Sequence, residues 1–230
     1  MPEWLLNRIK NISTDTVIFG FENKCIEVLL YKRAQNPSKG AWALPGGFLF
    51  KEEHIQEAAR RILKDTTGVA DIYLEEIGVF DQIDRFPSWR VFTFGYFALV
   101  NPKRYKLISS DIFTLEAKWF KINELPHLAW DHQKIIERAL EKLKGLVLNK
   151  PIGFELLPEK FTLPQLQALY EVILNRSVDK RNFRKKMMQT GLLTKLGEED
   201  RNGKKRPAAL YKFNKQNYKA LVEKGLNFGL

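Results

Sequence analysis

The chain has 230 residues, 44% of them hydrophobic, with a formal net charge of +11 and a pI near 9.6. That length suits one large or two small domains, and the apolar fraction suffices for a sizeable core. A single cysteine, Cys25, excludes an internal disulfide, and no apolar run approaches the roughly 18 residues of a membrane-spanning helix. The basic balance fits an acidic partner or simply a soluble basic surface. Cys25 sits in the strand-like run "CIEVLLYKR" and reads as a small buried hydrophobe. His54, His127 and His132 show no metal-ligand spacing, so neither metal nor cofactor is expected. The N-terminal "MPEWLLNRIK" lacks the pattern of a signal peptide, and a cytoplasmic location without membrane contact is expected.

Taken in chain order, residues 14–21 and 25–33 are β-branched and apolar, separated by the turn-like Glu22-Asn23-Lys24. A Pro/Gly loop, "QNPSKGAW", leads through "ALPGGF" into residues 47–69, "GFLFKEEHIQEAARRILKDTTGV". There Ile55, Ala58, Ala59, Ile62, Leu63 and Thr66 recur at helical spacing, and Gly68 stands where a C-terminal glycine ends a helix. Residues 72–80, 89–100 and 116–122 read as further strands. "WDHQKIIERALEKLKG" reads as a helix with Asp131 as N-cap, His132 as its first residue and Gly145 just past its end. Strands interleaved with helices argue for an α/β domain over residues 1–148.

Residues 149–160, with two prolines and a glycine, read as a linker. In residues 161–230, Thr162 and Gln165 form a capping box. Asp179 caps a second helix, with Val178 and Phe183 placed as a hydrophobic staple and Gly191 as terminator. "LLTKL", a polar turn and "PAALYKF" complete a hairpin. Helix, turn, helix and hairpin predict a winged helix-turn-helix domain.

Residues 151–230 carry 16 basic and 8 acidic groups, so most of the positive excess lies on the smaller domain. That asymmetry is the footprint of a polyanion partner. On the second helix, Phe183 and Met187 share one face, while Arg181, Asn182, Lys185 and Gln189 lie opposite. Such a face can neutralise phosphates and read base edges in a major groove; the alternative is a solvated helix surface. Lys180 and Arg184, with Lys204, Lys205 and Arg206 in the hairpin turn, complete the set of candidate DNA-binding residues.

The stretch from Gly47 to Val69 resembles the Nudix box, G-x5-E-x7-R-E-U-x-E-E-x-G-U, with Gly47, Glu53, Arg61, Leu63, Gly68 and Val69 matching. In that pattern glutamates on one helix face hold Mg²⁺ against a diphosphate. Here the three positions are Ile62, Asp65 and Thr66, so two carboxylates are missing and no hydrolytic centre is expected. "FTLPQLQALYE" and "DKRNFRKK" extend the resemblance, over nearly the whole chain, to the Nudix-related transcriptional regulators of the NrtR family. The altered box is similar to that of the sugar-responsive, AraR-like branch. The resemblance implies a Nudix α/β/α sandwich followed by a C-terminal winged helix. It also implies a homodimer on a palindromic duplex operator, released when a small-molecule effector occupies the Nudix domain. A pentose such as arabinose is the expected effector, with ADP-ribose second. Arg33, Trp42, Gly46, Asp84, Arg85, Trp89 and Arg90 are the effector-binding candidates. A Nudix hydrolase of a nucleoside diphosphate derivative is the alternative, and an RNA-binding module without effector a third reading.

Overall fold

The computed structural model describes residues 7–68, 72–104, 114–201, 207–223 and 228. It divides into two units, residues 1–22 with 26–142, and residues 23–25 with 143–230.

The first unit is built on a seven-stranded sheet. Its strands are β1 (Arg8–Glu22), β2 (Cys25–Arg33), β3 (Trp42–Ala43), β4 (Gly46–Phe50), β5 (Tyr73–Phe80), β6 (Phe92–Leu99) and β7 (Thr114–Lys121). The main path runs β3-β2-β1-β6-β5, with β4 added to β1 and β7 to β2. Central β1 runs parallel to β6 and antiparallel to β4, where Asp15 faces Gly46 and Thr14 faces Gly47. Because strand side chains alternate, Asp15 points to one face of the sheet and Ile18 to the other. Ile18 joins Leu29, Leu63, Ile72, Ala98 and Val100 in a buried cluster.

Leu63 belongs to α1 (Ile55–Thr67), which buries Ala58, Ala59, Ile62, Leu63 and Thr66 of the stripe expected from the spacing, while Ile55 at its start is half-buried. The His54 N–H donates to the Glu57 carboxylate at 2.7 Å at its start, and Gly68 closes it at φ 74°. α2 (His132–Asn149) begins against the opposite face of the sheet, where His132 meets Asp15.

Four sequence expectations are corrected here. β1 starts at Arg8, not at residue 14, because its first half pairs with β4 and β6. α2 does not stop at Gly145 but continues to Asn149; Leu143 and Val147 are buried one turn apart, so the apolar stripe carries the helix through the glycine. The Asp131 carboxylate is taken by Arg85 in a two-point pair, so its role is that of an ion-pair partner rather than a simple cap. The segment expected as a linker forms a 3-10 turn over Ile152–Leu156 with Ile152, Phe154 and Leu156 buried. Phe154 stacks on Phe213 with ring centroids 4.4 Å apart, so its aromatic side chain draws the segment into the core of the second unit.

The second unit contains β8 (Phe161–Thr162), α3 (Leu163–Leu174), α4 (Lys180–Gln189), β9 (Leu193–Asp200), β10 (Ala208–Phe213) and α5 (Lys215–Glu223). Its three strands pair in the order β8-β10-β9. Thr162 and Gln165 make the expected capping box, and the Asp179 carboxylate accepts the Asn182 N–H at 2.7 Å. The turn between α3 and α4 is clamped by Glu171, whose carboxylate accepts the Val178 N–H at 3.1 Å and the Gln167 amide at 3.0 Å. Those two bonds hold the Glu171 carboxyl below its ordinary pKa, the Val178 N–H being the larger cause.

Candidate functional site

The described residues expected to form the box lie on α1, on the strand before it and in the turn between them. Arg61 forks onto Glu53, with Nε to Oε2 at 3.0 Å and a terminal nitrogen to Oε1 at 2.7 Å, and also reaches the Phe48 carbonyl at 3.2 Å. The Phe50 N–H adds a bond to Glu53 at 2.8 Å. Burial raises the Glu53 carboxyl, but these bonds outweigh it and hold the group below its ordinary pKa. Ile62 is buried and packs where a side chain at Gly47 would sit, its Cδ1 3.4 Å from an ideal Cβ there. Thr66 is buried with its hydroxyl donating to the Ile62 carbonyl at 2.5 Å, while Asp65 is exposed. Among the described residues no three His, Cys, Asp or Glu side chains come together as metal ligands.

On the other sheet face lies a buried polar network. Arg85 is 7% exposed and pairs with both carboxylate oxygens of Asp131, at 3.0 and 2.8 Å. It also contacts Asp15 at 3.5 Å and donates to the Thr93 hydroxyl, which shares a 2.6 Å hydrogen bond with Ser13. His132 Nδ1 accepts the Leu44 N–H at 2.9 Å, so the ring proton of the neutral form sits on Nε2. That atom faces Asp15 Oδ2 at 3.5 Å, too long for a strong hydrogen bond. Burial pushes the Asp15 carboxyl up, yet His132 and Arg85 together outweigh it and keep Asp15 below its usual range. Gly46 is required by this packing: a Cβ there would lie 2.0 Å from Asp15 Oδ1.

Beside the network runs a ladder of π groups. Phe48 and Trp89 stack at 6.3 Å, Trp89 meets Phe86 at 4.9 Å, and Phe86 meets Trp130 at 5.2 Å. The Arg33 guanidinium lies over Trp130 at 4.6 Å, with its Nε bonded to the Pro37 carbonyl at 3.0 Å. Among the described residues its terminal nitrogens make no hydrogen bond or ion pair, although Asp15 acts on their charge from a distance. Trp130 takes a left-handed φ of 52° and its indole N–H is buried without an acceptor. A bulky residue in that conformation stores strain, which concentrates at functional positions.

Of the seven effector candidates, Arg33 and Trp89 therefore lie on one ladder. Arg85 and Gly46 lie in the network behind it, Arg85 fully engaged. Trp89 also donates its indole N–H to the Lys10 carbonyl at 2.8 Å. Arg90 is half-buried over Phe92 at 5.0 Å, and Asp84 is exposed. Trp42 packs elsewhere, edge-on to Phe120 at 4.8 Å, and is tied to the region through its carbonyl, which accepts the Ala129 N–H at 2.8 Å. Sequence reasoning missed Asp15, Phe48, Phe86, Thr93 and Trp130. Only Asp15 carried a signal, a lone carboxylate inside an apolar strand run.

In the second unit, α4 presents Lys180, Arg181, Asn182 and Lys185 to solvent, and Arg184 is half-buried. Phe183 and Met187 turn inward, Phe183 against the Tyr170 ring at 5.5 Å. None of these four cations forms an ion pair among the described residues. Lys204, Lys205 and Arg206 fall outside the described residues. The described part of the hairpin is acidic at its far end: Glu198 is held by Lys160 at 2.7 Å and Glu199 lies 3.9 Å from Arg201.

A mixed sheet with a box helix, followed by a three-stranded winged helix, defines a Nudix domain that carries a DNA-binding domain. Residues 10–141 match the NUDIX domain, and residues 153–213 match the NrtR DNA-binding winged helix domain. The chain is 32% identical to the "ADPR responsive transcriptional repressor NtrR" of Acinetobacter baylyi, over 90% of this chain and 83% of that protein. It is 37% identical to an "ADP-ribose pyrophosphatase" of Methanocaldococcus jannaschii, over 55% of this chain and 73% of that one. Among solved structures, Shewanella oneidensis NrtR complexed with a 27mer DNA superposes with a TM-score of 0.80 at 29% identity, covering 90% of this chain and 95% of that one. The Nudix domain of the same protein complexed with ADP ribose gives a TM-score of 0.52 at 28% identity, over 62% of this chain and 99% of that one. The chain belongs to the NrtR family of Nudix-domain transcription regulators, and is a DNA-binding protein. No described helix is long and apolar enough to cross a membrane.

Proposed function

We propose that this regulator is an ADP-ribose-responsive repressor: a homodimer grips a palindromic operator, and ADP-ribose in the Nudix unit releases it. The observation that carries the reading is the likeness to the Acinetobacter repressor along 90% of the chain, both domains included. The geometry supports it. A diphosphate needs a fixed cation, and Arg33 is anchored through Nε with its terminal nitrogens unpaired among the described residues. Burial lowers its pKa while Asp15 opposes that, and the group stays charged. An adenine needs flat apolar surfaces, which the Phe48–Trp89–Phe86–Trp130 ladder offers. A pentose alone would use the rings but leave Arg33 without an anion, so it ranks second.

The altered box belongs to the same reading. Without carboxylates at positions 62 and 66 the unit holds its ligand and leaves it intact. Hydrolysis is the competing reading, favoured by the likeness to a pyrophosphatase. One experiment separates them: titrate ADP-ribose, L-arabinose and D-xylose, with and without Mg²⁺, against the protein on a labelled operator. The ligand is then recovered by chromatography. Release by ADP-ribose alone, recovered intact, is the expected result, and Arg33→Ala should bind DNA but no longer respond. By linkage the effect on DNA affinity should be about 5–150-fold. Release only by a pentose would return the effector to the sugar class. Turnover at about 1 s⁻¹ or faster would make the unit an enzyme.

A further inference from the structure

The outer face of α4 holds a side chain that neither phosphate binding nor core packing accounts for. Met187 is fully buried, whereas its neighbour Met188 is 48% exposed, and it is the only large apolar side chain among the described residues of the second unit to be so. At 100° per residue, Met188 falls in line with Arg181 and Lys185, on the side opposite Phe183. Asn182 and Gln189 form the adjoining line. These two lines thus show solvent two cations, two amides and one thioether within about 12 Å of helix length, close to the width of a B-DNA major groove, about 12 Å. Cations find phosphates and guanine, and amides find adenine. An unbranched apolar chain matches one groove feature only, the 5-methyl group of thymine. Methionine suits this because its flexible, polarizable end adapts to the contact.

We propose that Met188 is a specificity-determining residue that reads a thymine methyl group in each half of the operator. The proposal rests on the reading of α4 as the recognition helix. It assigns to Met188 a contact that carries sequence information and no charge. The contact is therefore independent of salt, unlike those of Arg181 and Lys185.

The test uses the full-length protein. Duplexes that bind it are enriched from random DNA, and each symmetry-related pair of thymines is then replaced by deoxyuridine, which removes only the methyl group. Binding is measured by fluorescence anisotropy at several salt concentrations. One methyl is worth about fourfold in affinity, so one thymine pair should cost the wild type roughly fifteenfold. Met188→Ala should bind the thymine duplex as weakly as the wild type binds the deoxyuridine duplex, with the same salt slope and no further loss on deoxyuridine. Met188→Leu should restore much of the methyl sensitivity. Because Met188 is exposed, both variants should fold, and circular dichroism checks this. Wild type indifferent to deoxyuridine at every thymine overturns the proposal, as does Met188→Ala that keeps the full penalty. Failure to enrich any duplex would instead overturn the DNA-binding reading of α4, and this assignment with it.

Discussion

Arg85→Met removes a guanidinium and keeps a side chain of similar length and apolar stem. In the native network the guanidinium satisfies Asp131 at 3.0 and 2.8 Å and faces Asp15 at 3.5 Å, and both carboxylates are 8% exposed. The variant leaves Asp131 buried without its cation and removes one of the positive groups that face Asp15. Breaking a buried pair by removing one partner costs about 3–5 kcal/mol. For a domain of this size each kcal/mol moves Tm by about 2–4 °C, so a fall on the order of 10 °C is expected. The five tryptophans, at positions 4, 42, 89, 119 and 130, all precede the second unit's main segment. Tryptophan fluorescence during urea or thermal unfolding therefore reports the first unit selectively. The double variant Arg85→Met, Asp131→Leu removes both charges and should recover most of the loss, since a buried pair replaced by apolar groups is often neutral. The pH arm has a definite sign. The Asp15 pKa is lowered in the folded chain, so its contribution is present above the ordinary carboxylate range and disappears as pH falls through the folded value. That acid-side slope should shrink in Arg85→Met. A single variant that melts within about 2 °C of wild type would refute the claim that this network holds the unit together.

Other perturbations have equally specific outcomes. Gly46→Ala puts a methyl 2.0 Å from Asp15 Oδ1 and should lower the first-unit transition by more than about 2 kcal/mol in urea unfolding; a wild-type midpoint would mean that the β1–β4 pairing yields freely. Tyr170 is fully buried with its hydroxyl unpartnered, and burial pushes its pKa up. Tyr170→Phe should stabilise the second unit by about 1 kcal/mol, read as slower hydrogen exchange in α3; faster exchange would show that the hydroxyl is bonded. Glu171 has a lowered pKa, so its clamp should persist above the ordinary value and open as pH falls through the folded one. Val178 amide protection should therefore drop on acidification in wild type, and Glu171→Gln should remove that pH dependence.

The legible parts of the chain were those written in local chemistry. β2 spans Cys25–Arg33, as its apolar run requires, and the caps at Thr162 and Asp179 sit where the side chains asked for them. Polar "RIKNIS" hid the first half of β1, because hydrogen bonds to β4 and β6 hold it there rather than burial of its own side chains. α5 was overlooked for the same reason: the Asn214 side chain accepts the Asn217 N–H at 3.0 Å, a real start signal, but the helix that follows is mostly polar. Position 85 shows the limit for the site. An arginine in a polar loop looked like a ligand contact, yet its partner is 46 residues away, and no periodicity reports a pairing of that kind. Trp130 was hidden differently, since a left-handed backbone at a helix start leaves no mark in residue type.

Phe154 on Phe213 has a consequence for how sensors and readers can be exchanged between relatives. The proline-bearing stretch looks like a natural seam, and a chimera joined at residue 161 would follow it. Such a join would import a winged helix stripped of Ile152, Phe154 and Leu156, leaving Phe161 and Phe213 to find foreign neighbours. The compact units part between Lys142 and Leu143 instead, inside α2. Recombination that respects the fold must therefore cut within a helix rather than in the proline-bearing stretch. A new effector domain can be acquired intact only if Leu143 and Val147 stay with the winged helix they belong to.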